Sequence, residues 1–149
     1  MENTNEKEVR LSEHFTLREM IQSGTALRLN IDNTPDAYAV ECLRLLCRQV
    51  LEPLRRRFGV IRVTSGYRCL ALNRAVGGAA RSQHMRGQAA DLHVSSPENG
   101  RKMFDYIRQN LVFDQLLLEH SKARRTWWIH VSYHPVTAKN RLTSSTIEV

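Results

Sequence analysis

"SGYRCLALNRAVGGAARSQHMRGQAADLHV", residues 65–94, sets His84 and Asp91 seven positions apart in a stretch punctuated by Gly66, Gly77, Gly78 and Gly87. On one helix, seven residues rising ~1.5 Å each would hold the two side chains roughly 10 Å apart along the axis, too far to share one small ion. The glycines also argue against a helix, since each gives up much conformational freedom when ordered. The end of the stretch, "AADLHV", alternates as a half-buried strand does, with Asp91 and His93 on one face and Ala90, Leu92 and Val94 on the other. A loop leading into that strand lets His84 fold back over Asp91, so that an imidazole and a carboxylate converge.

Two such groups raise the question of a third, because a catalytic zinc commonly takes three protein ligands and keeps one position open. His130 is the candidate. "TWWIHVSY" reads as a strand with Trp128, His130 and Ser132 on one face, and an unpaired imidazole among Trp127, Trp128 and Ile129 would be costly to bury. Each residue alone has a plainer reading: His84 as a loop histidine, Asp91 as a turn former, His130 as a hydrogen-bonded core histidine.

Working outward, "VIRVTSGYR" is a strand running into a turn at Ser65-Gly66, and "FDQLLLEH" is another strand. "PENGRKMFDYIRQN" reads as a helix that starts at Pro97. Upstream, "FTLREMIQSG" carries a capping box, Thr16 with Glu19, and a stop at Gly24. "NTPDAYAVECLRLLCRQVLEPLRRRFG" is the long core helix, with Thr34 as cap, Pro35 at the first helical position, a kink or break near Pro53 and Gly59 as its end. The three arginines before Gly59 suit the negative end of that helix. Helices first and strands later predict an α+β fold with a mostly antiparallel sheet. The expected organisation is a fraying N-terminus over 1–10, one domain over 11–141, and a polar, poorly specified C-terminal tail over 142–149.

The bulk composition narrows the partners. With 149 residues, 42% hydrophobic and 25% charged, the chain suits one globular domain. A net charge of +7 attracts polyanions, but no basic stripe interleaved with aromatics appears, so nucleic acid is not the expected partner. Cys42, Cys47 and Cys69 have no CxxC spacing and read as core thiols. No apolar run is long enough to span a membrane, and "MENTNEKEVR" lacks the apolar core of a signal peptide. The expectation is a monomer made in the cytoplasm.

"SGYR", "LNRAVGGAARSQHMRGQAADL", "FDQLLLE" and "WIHVS" together resemble the zinc D-alanyl-D-alanine carboxypeptidase family of peptidoglycan peptidases, through the pattern SxHxxGxAxD at Ser82, His84, Gly87, Ala89 and Asp91. "HFTLREM" and "LEPLRRRFG" are similar to its small single-domain members. The resemblance implies one zinc ion held by His84, Asp91 and His130, on the α+β fold shared with the hedgehog signalling domain. It also implies a peptidoglycan peptide as substrate, cut in carboxypeptidase or endopeptidase mode, and places Arg68 beside the site for a substrate carboxylate or a developing oxyanion. Several relatives carry the catalytic carboxylate three residues before the last histidine, where this chain has Trp127. Glu119, matching the carboxylate of the single-domain members, is then the expected base, with His93 in reserve. Ser82, Gln83 and Tyr67 are candidate substrate contacts, and Trp128 a candidate pocket wall. The Trp127 departure leaves a second reading open, a catalytically silent zinc-containing module that binds cell wall. A wall substrate with no visible export signal points to release by phage-type lysis.

Overall fold

The computed structural model describes residues 8–149. Three short helical pieces open the chain: α1 (Leu17–Ile21), α2 (Gly24–Arg28) and α3 (Ala37–Leu46), the last continuing through a π-helical segment (Cys47–Leu51) into α4 (Glu52–Phe58). Then come β1 (Val63–Ser65), α5 (Leu70–Ala75), a 3-10 turn (Gln83–Arg86), β2 (Ala89–His93), α6 (Pro97–Asn110), β3 (Gln115–Ser121), β4 (Thr126–Ser132) and β5 (Thr143–Glu148). The strands form one sheet in the order β1-β2-β4-β3-β5. Among the described residues no helix is long and apolar enough to cross a membrane.

The helical half follows its capping chemistry, with corrections to where helices start. The Thr16–Glu19 box closes on α1 as the sequence suggests. Gly24, expected to stop the chain there, instead begins α2, because the Ser23 side chain accepts the Ala26 N–H and caps a new helix. Thr34 does not cap the long helix. Its backbone N–H and hydroxyl both bond the Asp32 carboxylate, and Asp36 caps α3 by accepting the Ala39 N–H. At Pro53 the helix continues: the wider π turn, in which the Glu52 N–H reaches back to the Cys47 carbonyl, takes up the bond proline cannot make. Gly59 ends α4 at φ 86°.

The sheet is mostly antiparallel, as the sequence suggests, and one of its four strand pairings makes it mixed. β1 with β2, β2 with β4 and β3 with β4 run antiparallel, while β5 lies parallel to β3. Residues read from sequence as a tail therefore build an edge strand. Hydrophobic patterning could not reveal it, because β5 is "TSSTIE", exposed along nearly its whole length. It is held at its start by Asp114, whose carbonyl accepts the Thr143 N–H and whose carboxylate accepts three bonds from Arg141.

One face of the sheet makes the core. Ala90, Leu92, Leu116, Leu118, Ile129 and Val131 are fully or almost fully buried against Leu43, Leu46, Val50, Leu51 and Leu54 of the long helix and against Met103 and Ile107 of α6. Burying each large aliphatic side chain stabilises by about 1.5–3 kcal/mol, so this face alone fixes strand register. The opposite face carries, by cross-strand register, Asp91, His130 and Leu117 in one row and His93, Trp128 and Glu119 in the next. The period of two that buries the apolar set thus lifts every candidate site residue of the strands onto the other side.

Two glycines permit the loops above that face to close down. Gly66 lies so near α1 that a Cβ there would stand 2.3 Å from the Met20 carbonyl oxygen. Gly87, at φ 73°, would put a Cβ 2.3 Å from the Ala39 carbonyl oxygen. Gly87→Ala therefore meets both a left-handed backbone and a backbone clash, and should destabilise the protein by at least about 2 kcal/mol in urea unfolding. An unchanged midpoint would contradict this account of the loop.

Candidate metal centre

His84 sits on the 3-10 turn between α5 and β2, a turn the sequence reading treated as open loop. The Ser82 side chain caps it by accepting the His84 N–H, and Gly87 ends it in the left-handed conformation. The buried His84 ring has one fixed partner: Nδ1 lies 2.7 Å from the Gly66 carbonyl oxygen. A carbonyl only accepts, so Nδ1 carries the hydrogen and Nε2 of the neutral ring presents a lone pair. That nitrogen faces Asp91 Oδ1 at 3.3 Å. His130, directly opposite Asp91 on β4, brings Nδ1 to 3.1 Å from the same oxygen.

His130 can donate to this oxygen from Nδ1–H as a neutral ring, but His84, with its hydrogen on Nδ1, faces the carboxylate with a lone pair, and that contact calls for an added proton or a cation between the two atoms. The three donor atoms lie within 4.8 Å of one another. Tetrahedral zinc with bonds of about 2.0–2.1 Å has donor-to-donor edges of about 3.3 Å, close to both measured separations. The Gly66 carbonyl supplies the outer hydrogen bond that holds a ligating imidazole in one tautomer and orientation. The residues present fit zinc. Without metal, burial pushes the Asp91 carboxyl up, but His130 and His84, when protonated, hydrogen-bond it and hold the group well below the ordinary carboxylate range.

A second group of possible ligands, Glu13, His14 and Glu52, is of another kind. Glu52 is already saturated by the Ser12 hydroxyl and by the backbone and ring nitrogens of His14, and Arg10, Arg48 and Arg56 line the same hollow. It is a structural latch for the N-terminal turn.

Glu119 pairs with Trp128 across β3 and β4, diagonal to His130 on the same face. The Trp128 indole N–H donates to Glu119 Oε2 at 2.8 Å, which leaves Oε1 free. Burial, reinforced by the negative Asp91, raises the Glu119 pKa above its ordinary value. Trp128 therefore orients this carboxylate as well as walling the cleft.

Arg68 is placed by backbone. Its N–H donates to the His84 carbonyl, and the Asn33 side chain grips the residues on either side, donating to Tyr67 O and accepting from Cys69 N. A Cβ at Gly78 would stand 2.0 Å from Asn73 Oδ1 and 3.0 Å from Arg68 Nη1, so a side chain there would displace Asn73 first and crowd the guanidinium as well. Among the described residues Arg68 Nε is buried without a partner, while the side chain as a whole lines the cleft.

The space above the sheet divides into two lobes. One, of about 760 Å³, is lined by His84, His130 and Glu119; the other, of about 950 Å³, by Tyr67, His93 and Thr64 among others. Arg68, Val76, Asp91, Arg124 and Trp128 belong to both. The structure thus gathers His84, Asp91, His130, Glu119, Arg68 and Trp128 at one junction. His93 is exposed in the second lobe, apart from the two histidines of the triad. Ser82 and Gln83 line the first lobe but have protein partners of their own, the His84 N–H and the Asp114 carboxylate.

A model of the peptidase M15 family matches residues 13–132. The chain belongs to the peptidase M15 family. That family comprises zinc D-alanyl-D-alanine carboxypeptidase-like proteins, so the membership agrees with a donor set suited to zinc. No curated protein matches the chain significantly. In this M15 domain two supporting residues escaped the sequence reading. Asn33 lies in "NTP", which looked like a helix start. Asp114 lies in "FDQ", which looked like plain strand, yet it joins Gln83, beside His84, to Arg141 at the start of β5.

Asp114 also gives the M15 domain an acid limb. Its hydrogen bond from Arg141 outweighs burial and lowers its pKa below 3.8. A depressed folded value means a stabilisation complete above the unfolded value and lost as pH falls through the folded one. Asp114→Asn should lower the Tm at pH 7, and the gap from wild type should narrow below about pH 4. A pH-independent gap in thermal melts would show that the carboxylate charge is not what holds β5.

Proposed function

We propose that the protein is a zinc-dependent peptidase that hydrolyses peptide bonds of bacterial peptidoglycan, on the fold shared with the hedgehog signalling domain. The observation that carries this reading is the convergence of His84 Nε2 and His130 Nδ1 on Asp91 Oδ1, on the sheet face that also holds Glu119. Zinc bound there would supply Lewis acidity, polarising a carbonyl and acidifying water.

The chain's own groups do the rest. Glu119 Oε1 accepts a proton from the attacking water and returns it to the leaving amine nitrogen, while Trp128 holds Oε2 in place. Its raised pKa suits a group that must both take and give that proton. Arg68, whose side chain lines both lobes beside Asp91, stabilises charge on the attacked carbonyl oxygen or clamps a substrate carboxylate.

The two-lobed cleft favours cutting inside a peptide. Each lobe has the volume of a pocket for a drug-sized ligand, whereas a carboxypeptidase needs room for one residue beyond the bond. The test is a stem peptide blocked at both ends, incubated with protein stripped by chelator and then restored with zinc, with products read by mass spectrometry. Cleavage that follows the metal supports the reading. Cleavage indifferent to both treatments rejects the zinc peptidase, a strict need for a free C-terminal carboxylate rejects the internal cut, and tight zinc without hydrolysis favours a silent wall-binding module. A wall substrate places the site of action outside the membrane, reached on lysis; detecting the chain in culture supernatant of intact cells would exclude that route.

A further inference from the structure

The larger lobe has a charge imbalance that the cutting chemistry does not use. Arg28 from the last turn of α2 and Arg124 and Arg125 from the β3–β4 turn line it, together with Arg68. Against these four guanidinium groups the lobe offers one carboxylate, Asp91, which the two histidines already engage. None of Arg28, Arg124 and Arg125 has a carboxylate within ion-pair distance among the described residues, although other surface cations, such as Lys102, Arg108 and Lys122, do. Ser95 and Ser96 add hydroxyl donors to the same wall. Three unpaired like charges in one hollow repel each other, and an anionic occupant would relieve that repulsion.

The occupant must also reach the junction, because the lobe opens onto Asp91, Arg68 and Trp128 rather than standing apart from them. A free anion or a nucleic acid would satisfy the charge but has no reason to end there. A peptide whose cleaved bond lies at the junction, and whose adjoining segment bears carboxylates, satisfies both conditions. We infer that the arginine lobe binds the carboxylate-bearing segment of the substrate on one side of the cut, through planar guanidinium donors that fit a carboxylate fork. This rests on the peptidoglycan-peptidase reading and makes it more specific: stem peptides with free carboxylates are the preferred substrates over their amidated forms.

Calorimetric titration of the zinc-loaded protein tests this without requiring turnover. The probes are one synthetic stem peptide with free side-chain carboxylates, the same peptide with them amidated, and an oligonucleotide of matching charge. The wild type should prefer the free-carboxylate peptide by about 3- to 10-fold, the size expected for a few partly exposed guanidinium pairs. Arg28 and Arg125 are exposed and line only this lobe, so R28Q/R125Q should melt like wild type and lose the preference. Arg125 has φ 54°, so R125N alone, which tolerates that backbone, provides a second variant with a smaller loss. Equal binding of the two peptides by the wild type, a preference that persists in R28Q/R125Q, or tighter binding of the oligonucleotide would each overturn the inference. Cleavage with no carboxylate preference would leave the peptidase standing and remove the lobe's role. A carboxylate preference without cleavage would do the reverse.

Discussion

Glu119→Gln should lower peptide hydrolysis by about 10²–10⁴-fold, the usual contribution of a positioned general base, while zinc content and melting temperature stay near wild type. Glutamine keeps an acceptor for the Trp128 indole N–H, so the pairing of β3 with β4 has no reason to change. What it removes is the free Oε1 as a proton acceptor. The variant also separates this residue from His93, which lies exposed in the other lobe. If His93 were the base, Glu119→Gln would retain most activity and His93→Ala would lose it. Steady-state rates and metal analysis on the same preparations decide between them.

Asp91→Ala should abolish both zinc retention and hydrolysis. Asp91 Oδ1 is the atom both imidazoles face, at 3.3 and 3.1 Å, so its loss removes one ligand and leaves two buried or half-buried histidines without their shared partner. Two remaining nitrogen ligands make a poor zinc site, and stoichiometry after dialysis should fall from about one to near zero. Stability responds by two routes that both favour the wild type. Without metal the wild type keeps a buried carboxylate that the histidines stabilise, whereas with metal the bound ion favours the folded state by mass action. Zinc should therefore raise the Tm of the wild type and leave that of the variant unmoved. A variant that still binds one zinc as tightly as wild type would remove the ligand role assigned to Asp91, and with it the centre described above.

The elements that were legible in the sequence are those whose signal is local. The alternation in "AADLHV" and "TWWIHVSY" fixes which residues share a face, because the strand period is two and one face must be buried. The structure keeps both sets: Asp91 with His93, and His130 with Trp128 and Ser132. The Thr16–Glu19 box and the helix from Pro97 are equally local, each set by a side chain within three residues of the backbone it caps. Less legible were the ends of helices in polar turns. At 32–36 the Asp32 carboxylate takes both the Thr34 N–H and its hydroxyl while Asp36 accepts the Ala39 N–H and caps the helix, and at Ser23-Gly24 a serine cap turns an apparent stop into a start.

By itself, the sequence determined the donor types, their distribution between one loop and two strands, and the family to which the chain belongs. Only the tertiary structure decided that His84 presents Nε2 rather than Nδ1, since that depends on a Gly66 carbonyl eighteen residues away. It alone decided that Trp128 holds Glu119, that Asn33 and Asp114 brace the loops on either side, and that a polar tail completes the sheet. The physical reason is the same in each case. Patterning reports burial of a residue's own side chain, whereas these contacts join polar groups distant in sequence, whose pairing is fixed only when the chain brings them within hydrogen-bond distance.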